Sequence, residues 1–125
     1  MATQIVILNK DSVKIDDSFL IEWADKGNAW QDAWCPDTIH AVIWNNLQGQ
    51  NEIQSKDAST GMMTGNTNLN ATSDGVGSTT VANLLSWAET RKSQIQAAET
   101  AYSVAKADGS ASDGEDWRDY DSNYS

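Results

Sequence analysis

Hydrophobic residues in the first part of the chain alternate with polar ones in the way that half-buried β-strands do. Residues 4–9 form a short β-rich run and residues 13–16 alternate, so the turn between them predicts a hairpin. A second antiparallel hairpin is predicted from residues 38–45 and 51–55, which flank a glycine-containing turn. Residues 19–24 fit either a short helix or a strand.

One long helix is predicted over residues 81–107, where no Pro or Gly interrupts the chain. Thr79 or Thr80 is suited to cap its start, and Gly109 is placed to end it. Every third or fourth position forms one stripe: Val81, Leu84, Ala88, Arg91, Ile95, Ala98, Tyr102 and Ala105. This spacing fits either a seam between chains or an ordinary amphipathic helix that packs on its own sheet.

Two polar segments flank this helix. Residues 55–80 are dominated by Gly, Ser, Thr, Asn and Asp, which predicts an extended linker. Residues 108–125 hold six acidic residues and one Arg, with Trp117 and Tyr120 among them. Such a tail fits either a docking peptide that becomes ordered on a partner or a plain disordered terminus. The expected fold is α+β: a small antiparallel β-rich body over 1–54, a linker over 55–80, a long helix over 81–107 and an acidic tail over 108–125.

The composition concentrates the apolar residues in the N-terminal part. Ile, Val, Leu and Phe make up 21 of the 125 residues and the net charge is −10, a combination typical of disorder. Fourteen of those 21, and four of the six Trp, fall within residues 1–53, so we expect that part to fold.

The charge and the single Cys exclude several classes of function. A net charge of −10 repels nucleic acid and anionic membrane surfaces, so neither is expected as a partner. The sequence shows no apolar run long enough for a transmembrane helix and no signal-peptide pattern. One Cys permits no internal disulfide.

No residue pattern predicts an enzyme, a metal site or a cofactor. The single histidine, His40, lies five residues from Cys35, but a Cys–His nucleophile pair also needs an orienting group and an oxyanion hole. Carboxylates near the tryptophans fit a glycosidase only with a larger cleft. The tail at residues 108–117 fails the calcium-loop pattern, and no His and Cys cluster offers a zinc site.

The tryptophans are candidates for a small core or for binding. Four of them lie within 22 residues, and we expect at least two to be core. Alternation along the strand places His40 and Trp44 on one face. The candidate core or binding aromatics are Trp30, Trp34, His40 and Trp44.

The stretch Pro-Asp-Thr-Ile-His-Ala-Val-Ile-Trp at 36–44, with Gly49 and Asn-Glu-Ile at 51–53, resembles the phage tail fibre assembly proteins, also called tail-fibre chaperones. The Asp-Asp-Ser-Phe stretch at 16–19 and the Trp-Ala-x-x-Arg stretch at 87–91 are similar too. The resemblance extends loosely over residues 9–95.

This resemblance implies a role without catalysis. Such proteins help a homotrimeric tail fibre to fold by binding its distal, C-terminal end, and they then leave or stay as part of the tip. It implies action in the cytoplasm of the host bacterium, or a place on the virion tail fibre. On this interpretation the residues expected to contact the fibre, or further copies of the chain, are Val81, Leu84, Ile95, Tyr102, Trp117 and Tyr120. The alternative is a receptor-binding adhesin module of the phage tail that uses its Trp residues to contact host glycans.

Overall fold

The computed structural model describes residues 4–26, 34–45 and 49–124. In these ranges the fold is α+β, as predicted, with a six-stranded antiparallel sheet, a small two-stranded sheet and a long helix. The elements are β1 (Gln4–Leu8), β2 (Ser12–Ile15), β3 (Phe19–Glu22), β4 (Ile39–Asn45), β5 (Gln50–Lys56), β6 (Met63–Asn68), β7 (Gly75–Val76), β8 (Thr79–Thr80) and α1 (Val81–Asp108). A short 3-10 helix lies at Trp23–Asp25, after β3, and another lies at Trp117–Tyr120, after α1. The large sheet has the order β3-β2-β1-β4-β5-β6.

Both predicted hairpins are present, as β1–β2 and β4–β5. The ambiguous segment at 19–24 begins as strand β3 and ends in the N-terminal 3-10 helix. Asp16 and Asp17 make the turn between β2 and β3 with φ angles of 50° and 62°, and the Ser18 amide donates to the Ile15 carbonyl. Two successive positive φ angles match the twist of a strand pair, so this turn directs β3 back along β2.

One face of the large sheet forms the core. Its strands alternate in burial, because the inward residues lie under α1 and the outward residues face away from the helix. The inward side chains include Ile5, Ile7, Val13, Ile15, Ile21, Val42 and Trp44. The helix covers them with Val81, Leu84, Leu85, Ala88 and Ile95.

This packing corrects the expectation that Val81, Leu84 and Ile95 face another chain. All three side chains are buried in the core of this chain, at 1%, 3% and 4% exposure. The reason is that the inward side chains of β1, β2, β3 and β4 form an apolar surface, which the helix covers. Of the two arrangements that the stripe allows, the structure has the amphipathic helix on its own sheet.

The segment 55–80, expected to be an extended linker, contributes strands. β6 pairs with β5 and completes the large sheet, and β7 pairs with β8 immediately before α1. Leu69 and Val76 are buried in the core and hold the segment to the body. Gly77 approaches the Trp34 carbonyl so closely that any Cβ would collide with it, so glycine is required there.

The ends of α1 agree with the predicted signals. The Thr80 hydroxyl accepts a hydrogen bond from the Asn83 amide, and Gly109 adopts a left-handed φ of 82° after the last helical residue. These are the usual ways in which unpaired backbone groups at helix ends are satisfied. The helix ends at Asp108, one residue beyond its predicted end.

The prediction that His40 and Trp44 lie on one face of strand β4 is wrong. His40 is exposed, whereas Trp44 is buried, so the two side chains do not share an environment. The cause is an irregularity in register, because Ile39 pairs with Ser55 while Ala41 pairs with Gln54. An extra residue in one strand of a pair shifts the alternation of side chains by one position.

Candidate functional site: a groove at the edge of the sheet

The acidic tail folds back on α1 and is anchored there by a buried arginine. Arg91 is fully buried, and its guanidinium donates to both carboxylate oxygens of Asp121, with N to O distances of 2.6 and 3.2 Å. It also donates twice to the backbone carbonyl of Asp25, at 2.9 and 3.1 Å. Burial raises the pKa of the Asp121 carboxyl, but hydrogen bonds from Arg91 and from the Asn123 amide lower it by more.

A second arginine connects the tail to the end of β3. Arg118 donates to both carboxylate oxygens of Asp25, at 2.7 and 2.8 Å, and to Asp116 at 3.0 Å. The hydrogen bonds to Asp25 raise the pKa of Arg118 above its usual range. Asp25 thus binds Arg91 through its carbonyl and Arg118 through its carboxylate, and it joins strand, helix and tail.

Strand β3 forms one edge of the large sheet and leaves some backbone groups without a strand partner. The Trp23 amide donates to the Asp11 carbonyl, which fixes the alternation along β3. By that alternation, the N–H and C=O groups of Leu20 and Glu22 point away from β2. β3 pairs with β2 alone among the described strands, but Glu22 is the N-cap of the 3-10 helix at Trp23–Asp25, and its carbonyl accepts the first bond of that helix. Three groups therefore remain open at the edge: the N–H and C=O of Leu20 and the N–H of Glu22.

A groove of about 320 Å³ runs along this edge, between β3, α1 and the tail. All four residues of Phe19–Glu22 line it, although they alternate between the two faces of the sheet, which places the groove at the open edge of the strand. Ile95 and Glu99 of α1 form a second wall, and Trp117 and Arg118 form the third. The Arg118 guanidinium lies over the Trp117 ring, 4.9 Å from its centroid.

The charges around the groove are unequally compensated. Arg118 is balanced by Asp25 and Asp116, and it is in ion-pair contact with both. Glu22 and Glu99 are exposed, and neither has an ion-pair partner within the ranges that the structure describes. The groove therefore has walls of mixed polar and apolar character and an acidic rim.

The residues predicted to bind a partner are distributed unevenly around this groove. Ile95 and Trp117 line it, and Trp117 is half-buried against the core. Tyr102 and Tyr120 pack on each other, with 5.7 Å between ring centroids, away from the lining. Val81 and Leu84 lie in the core and do not reach it.

Of the other candidate aromatics, Trp34 and Trp44 are buried in the core, and His40 is exposed. Trp30 lies outside the described residues. Sequence reasoning missed Phe19, Glu22 and Arg118 as groove residues. A signal for Arg118 was present, because a lone arginine in an acidic tail needs a carboxylate partner, but the sequence does not identify Asp25 as that partner.

The described residues contain no group of three or more His, Cys, Asp or Glu side chains placed to hold a metal ion. Across the same ranges, no helix combines the length and the apolar character needed to cross a membrane.

Comparison of the chain with family models, with curated proteins and with solved structures found no match.

Proposed function

We propose that this chain is a bacteriophage tail fibre assembly chaperone. It binds the distal, C-terminal end of a trimeric tail fibre in the host cytoplasm and promotes folding and trimerisation, and it then leaves or remains as a tip subunit. The role is non-catalytic and depends on contact between proteins.

The observation that carries the proposal is the grooved, open edge at β3. Subunits of fibre trimers are β structures with many non-local strand pairings, which form slowly and expose strand edges on the way. A protein with an open strand edge beside walls that are partly apolar can hold such a segment through backbone hydrogen bonds. The groove is therefore suited to a β-structured client.

The resemblance at residues 36–53 supports the proposal in a different way. That stretch contains β4 and β5 at the centre of the sheet, where Ile39 and Trp44 are buried. The similar residues therefore define a scaffold, and the exposed edge at β3 would carry the contacts.

Two of the four clustered tryptophans on which the glycan-binding alternative depends are not placed to contact a sugar. A lectin-like contact needs an exposed aromatic face on which a sugar can stack. Trp34 and Trp44 lie in the core at 5% and 4% exposure. We therefore do not propose it.

The test is co-expression with the C-terminal region of any trimeric tail fibre that an adjoining reading frame encodes. We expect soluble, trimeric fibre only when this chain is present. Leu20→Asp should abolish the effect, because Leu20 lies at the groove with 61% exposure. Leu8→Asp is the matched control, since Leu8 is an exposed leucine on β1 that does not line the groove.

A fibre that becomes trimeric equally well without this chain would contradict the proposal. So would a fibre that remains insoluble when both are present.

A further inference from the structure

We propose that the β3 edge binds an extended segment of its partner as a seventh strand, and that this segment carries a lysine or arginine that faces Glu22 and Glu99. The inference rests on the proposed function, because it names the chemistry of the segment that the chaperone holds.

The backbone of β3 determines that the occupant is extended. Leu20 offers an outward N–H and an outward C=O, and Glu22, two residues further along the strand, offers an outward N–H. Only another strand presents donors and acceptors at that spacing. A helix or a compact loop would leave these backbone groups unpaired and would lose the contribution of their hydrogen bonds.

The surroundings of the edge have room for the side chains of such a strand. On the helix side lies the groove of about 320 Å³, with Ile95 and Trp117 in its walls. On the opposite face lies a hollow of about 430 Å³, which is lined by Asp11, Ser12, Leu20, Glu22, Trp23 and Ala24. Side chains of an added strand alternate between the two faces, so both spaces would be filled.

The charge around the edge selects a cationic segment. Glu22 lines both spaces and Glu99 lines the groove, and neither is paired within the described ranges. The nearby cations are engaged, because Arg118 binds Asp25 and Asp116, and Lys92 lies over the Phe19 ring at 5.7 Å. A positive side chain in the added strand would supply the missing counter-charge.

The same charge argues against a second copy of this chain at the edge. Each copy carries a net charge of −10, and pairing β3 with β3 would bring two acidic rims together. A partner segment of opposite charge is therefore favoured over edge-to-edge dimerisation.

The first experiment uses a defined probe in place of the fibre. An eight-residue peptide of alternating valine and lysine is titrated into the full chain at low salt, and a peptide of alternating valine and glutamate is the control. We expect the lysine peptide to bind at least tenfold more tightly. Hydrogen exchange on the complex should show new protection at the Leu20 and Glu22 amides. Binding without that protection would overturn the proposal, because the cation would then be attracted by the overall charge alone.

Variants locate the binding at this edge. Leu20→Pro removes an outward N–H without removing a hydrogen bond to β2, and we expect at least tenfold weaker binding. Asn68→Pro is the matched control, because Asn68 has its N–H directed outward at the opposite edge, β6. Equal weakening by both prolines would overturn the proposal. If Leu20→Pro does not fold, hydrogen exchange on the complex of the wild-type chain with the lysine peptide tests the proposal in its place.

The charge is tested separately. Glu22→Gln and Glu99→Gln should each weaken binding of the lysine peptide by about two- to fivefold, the range for exposed charge pairs. Asp113→Asn removes one exposed charge elsewhere and should leave binding nearly unchanged. Equal effects of all three variants would contradict a specific counter-charge. Dimerisation of the chain in sedimentation experiments, abolished by Leu20→Pro, would identify a second copy as the occupant and overturn the proposal.

These results are independent of the co-expression test. A fibre that is rescued although the peptide does not bind would refute the cationic strand and leave the chaperone function standing. Peptide binding at β3 without any effect on the fibre would refute the function and keep the strand-binding edge.

Discussion

The two edges of the large sheet differ in nearly every property that governs strand pairing. β6, at one edge, is exposed at all six positions, contains Gly65 and has an irregular register with β5. β3, at the other edge, has the sequence Phe-Leu-Ile-Glu and lies between the groove and the hollow on the opposite face. Polar composition and irregular register protect an edge from unwanted pairing. The β6 edge is therefore protected from unwanted strand pairing, whereas the β3 edge remains able to pair with a further strand.

The largest effect is expected from the anchor on the β3 side. Arg91→Ala should destabilise the chain by about 3–5 kcal/mol, because it leaves the Asp121 carboxylate buried without its partner. Unfolding in urea measures the loss. Hydrogen exchange should show reduced protection in the tail and β3 before the β5–β6 hairpin is affected.

A double substitution tests the same ion pair in a second way. Replacing both partners, Arg91→Met with Asp121→Leu, should recover part of the lost stability, since neither charge of the buried pair remains, while the Asp25 carbonyl still loses its two donors. A loss below about 1 kcal/mol in Arg91→Ala would show that the ion pair is not buried as described.

The second prediction compares one residue from each edge. Ile21→Ala in β3 should cost about 2–4 kcal/mol, because Ile21 is buried under the helix and a cavity would remain. Thr67→Ala in β6 should change the free energy of unfolding by less than about 0.5 kcal/mol, since Thr67 is exposed. Similar losses at the two positions would remove the distinction between the edges.

The third prediction concerns acid. The pKa of Asp121 is lowered in the folded chain, so its stabilising contribution is complete above its unfolded pKa of about 3.9 and is lost as the pH falls below that value. The free energy of unfolding should therefore fall more steeply between pH 5 and pH 2 in the wild type than in Asp121→Asn. Asp113→Asn should follow the wild type, and parallel slopes for all three chains would contradict the role of Asp121.

The smallest effect is expected at the outward face of β3. Leu20→Lys should change the free energy of unfolding by less than about 0.5 kcal/mol, because the side chain is already mostly exposed. The same change should lower any tendency to associate through the edge, as measured by light scattering. A loss above 1 kcal/mol would mean that Leu20 packs within the chain.

The sequence predicts the local elements well, because their signals are local. The hairpins follow from alternation, and the helix follows from Thr80, Gly109 and the absence of breakers between them. β6 escapes prediction because both of its faces are exposed, so no alternation marks it. Its pairing with β5 is a backbone interaction that polar Thr and Asn side chains permit.

The candidate site depends on non-local contacts and could be predicted only in part. Of the predicted binding residues, Ile95 and Trp117 line the groove, although Ile95 is also buried in the core of this chain. The groove itself depends on the position of β3 at the edge and on the pairing of Arg118 with Asp25, which are 93 residues apart. With six acidic residues in the tail alone, the sequence does not show which carboxylate each arginine selects.

Asp25 binds two arginines, Arg91 and Arg118, that are synthesised much later than Asp25 itself, and this affects the order in which the parts of the groove form. Asp25 leaves the ribosome 66 residues before Arg91 and 93 residues before Arg118. At roughly 5–20 residues per second, that second interval lasts about 5–20 s. During this time β1–β3 can form while the third wall of the groove does not yet exist. The nascent chain would therefore complete its groove last, after the strands of the sheet have been synthesised.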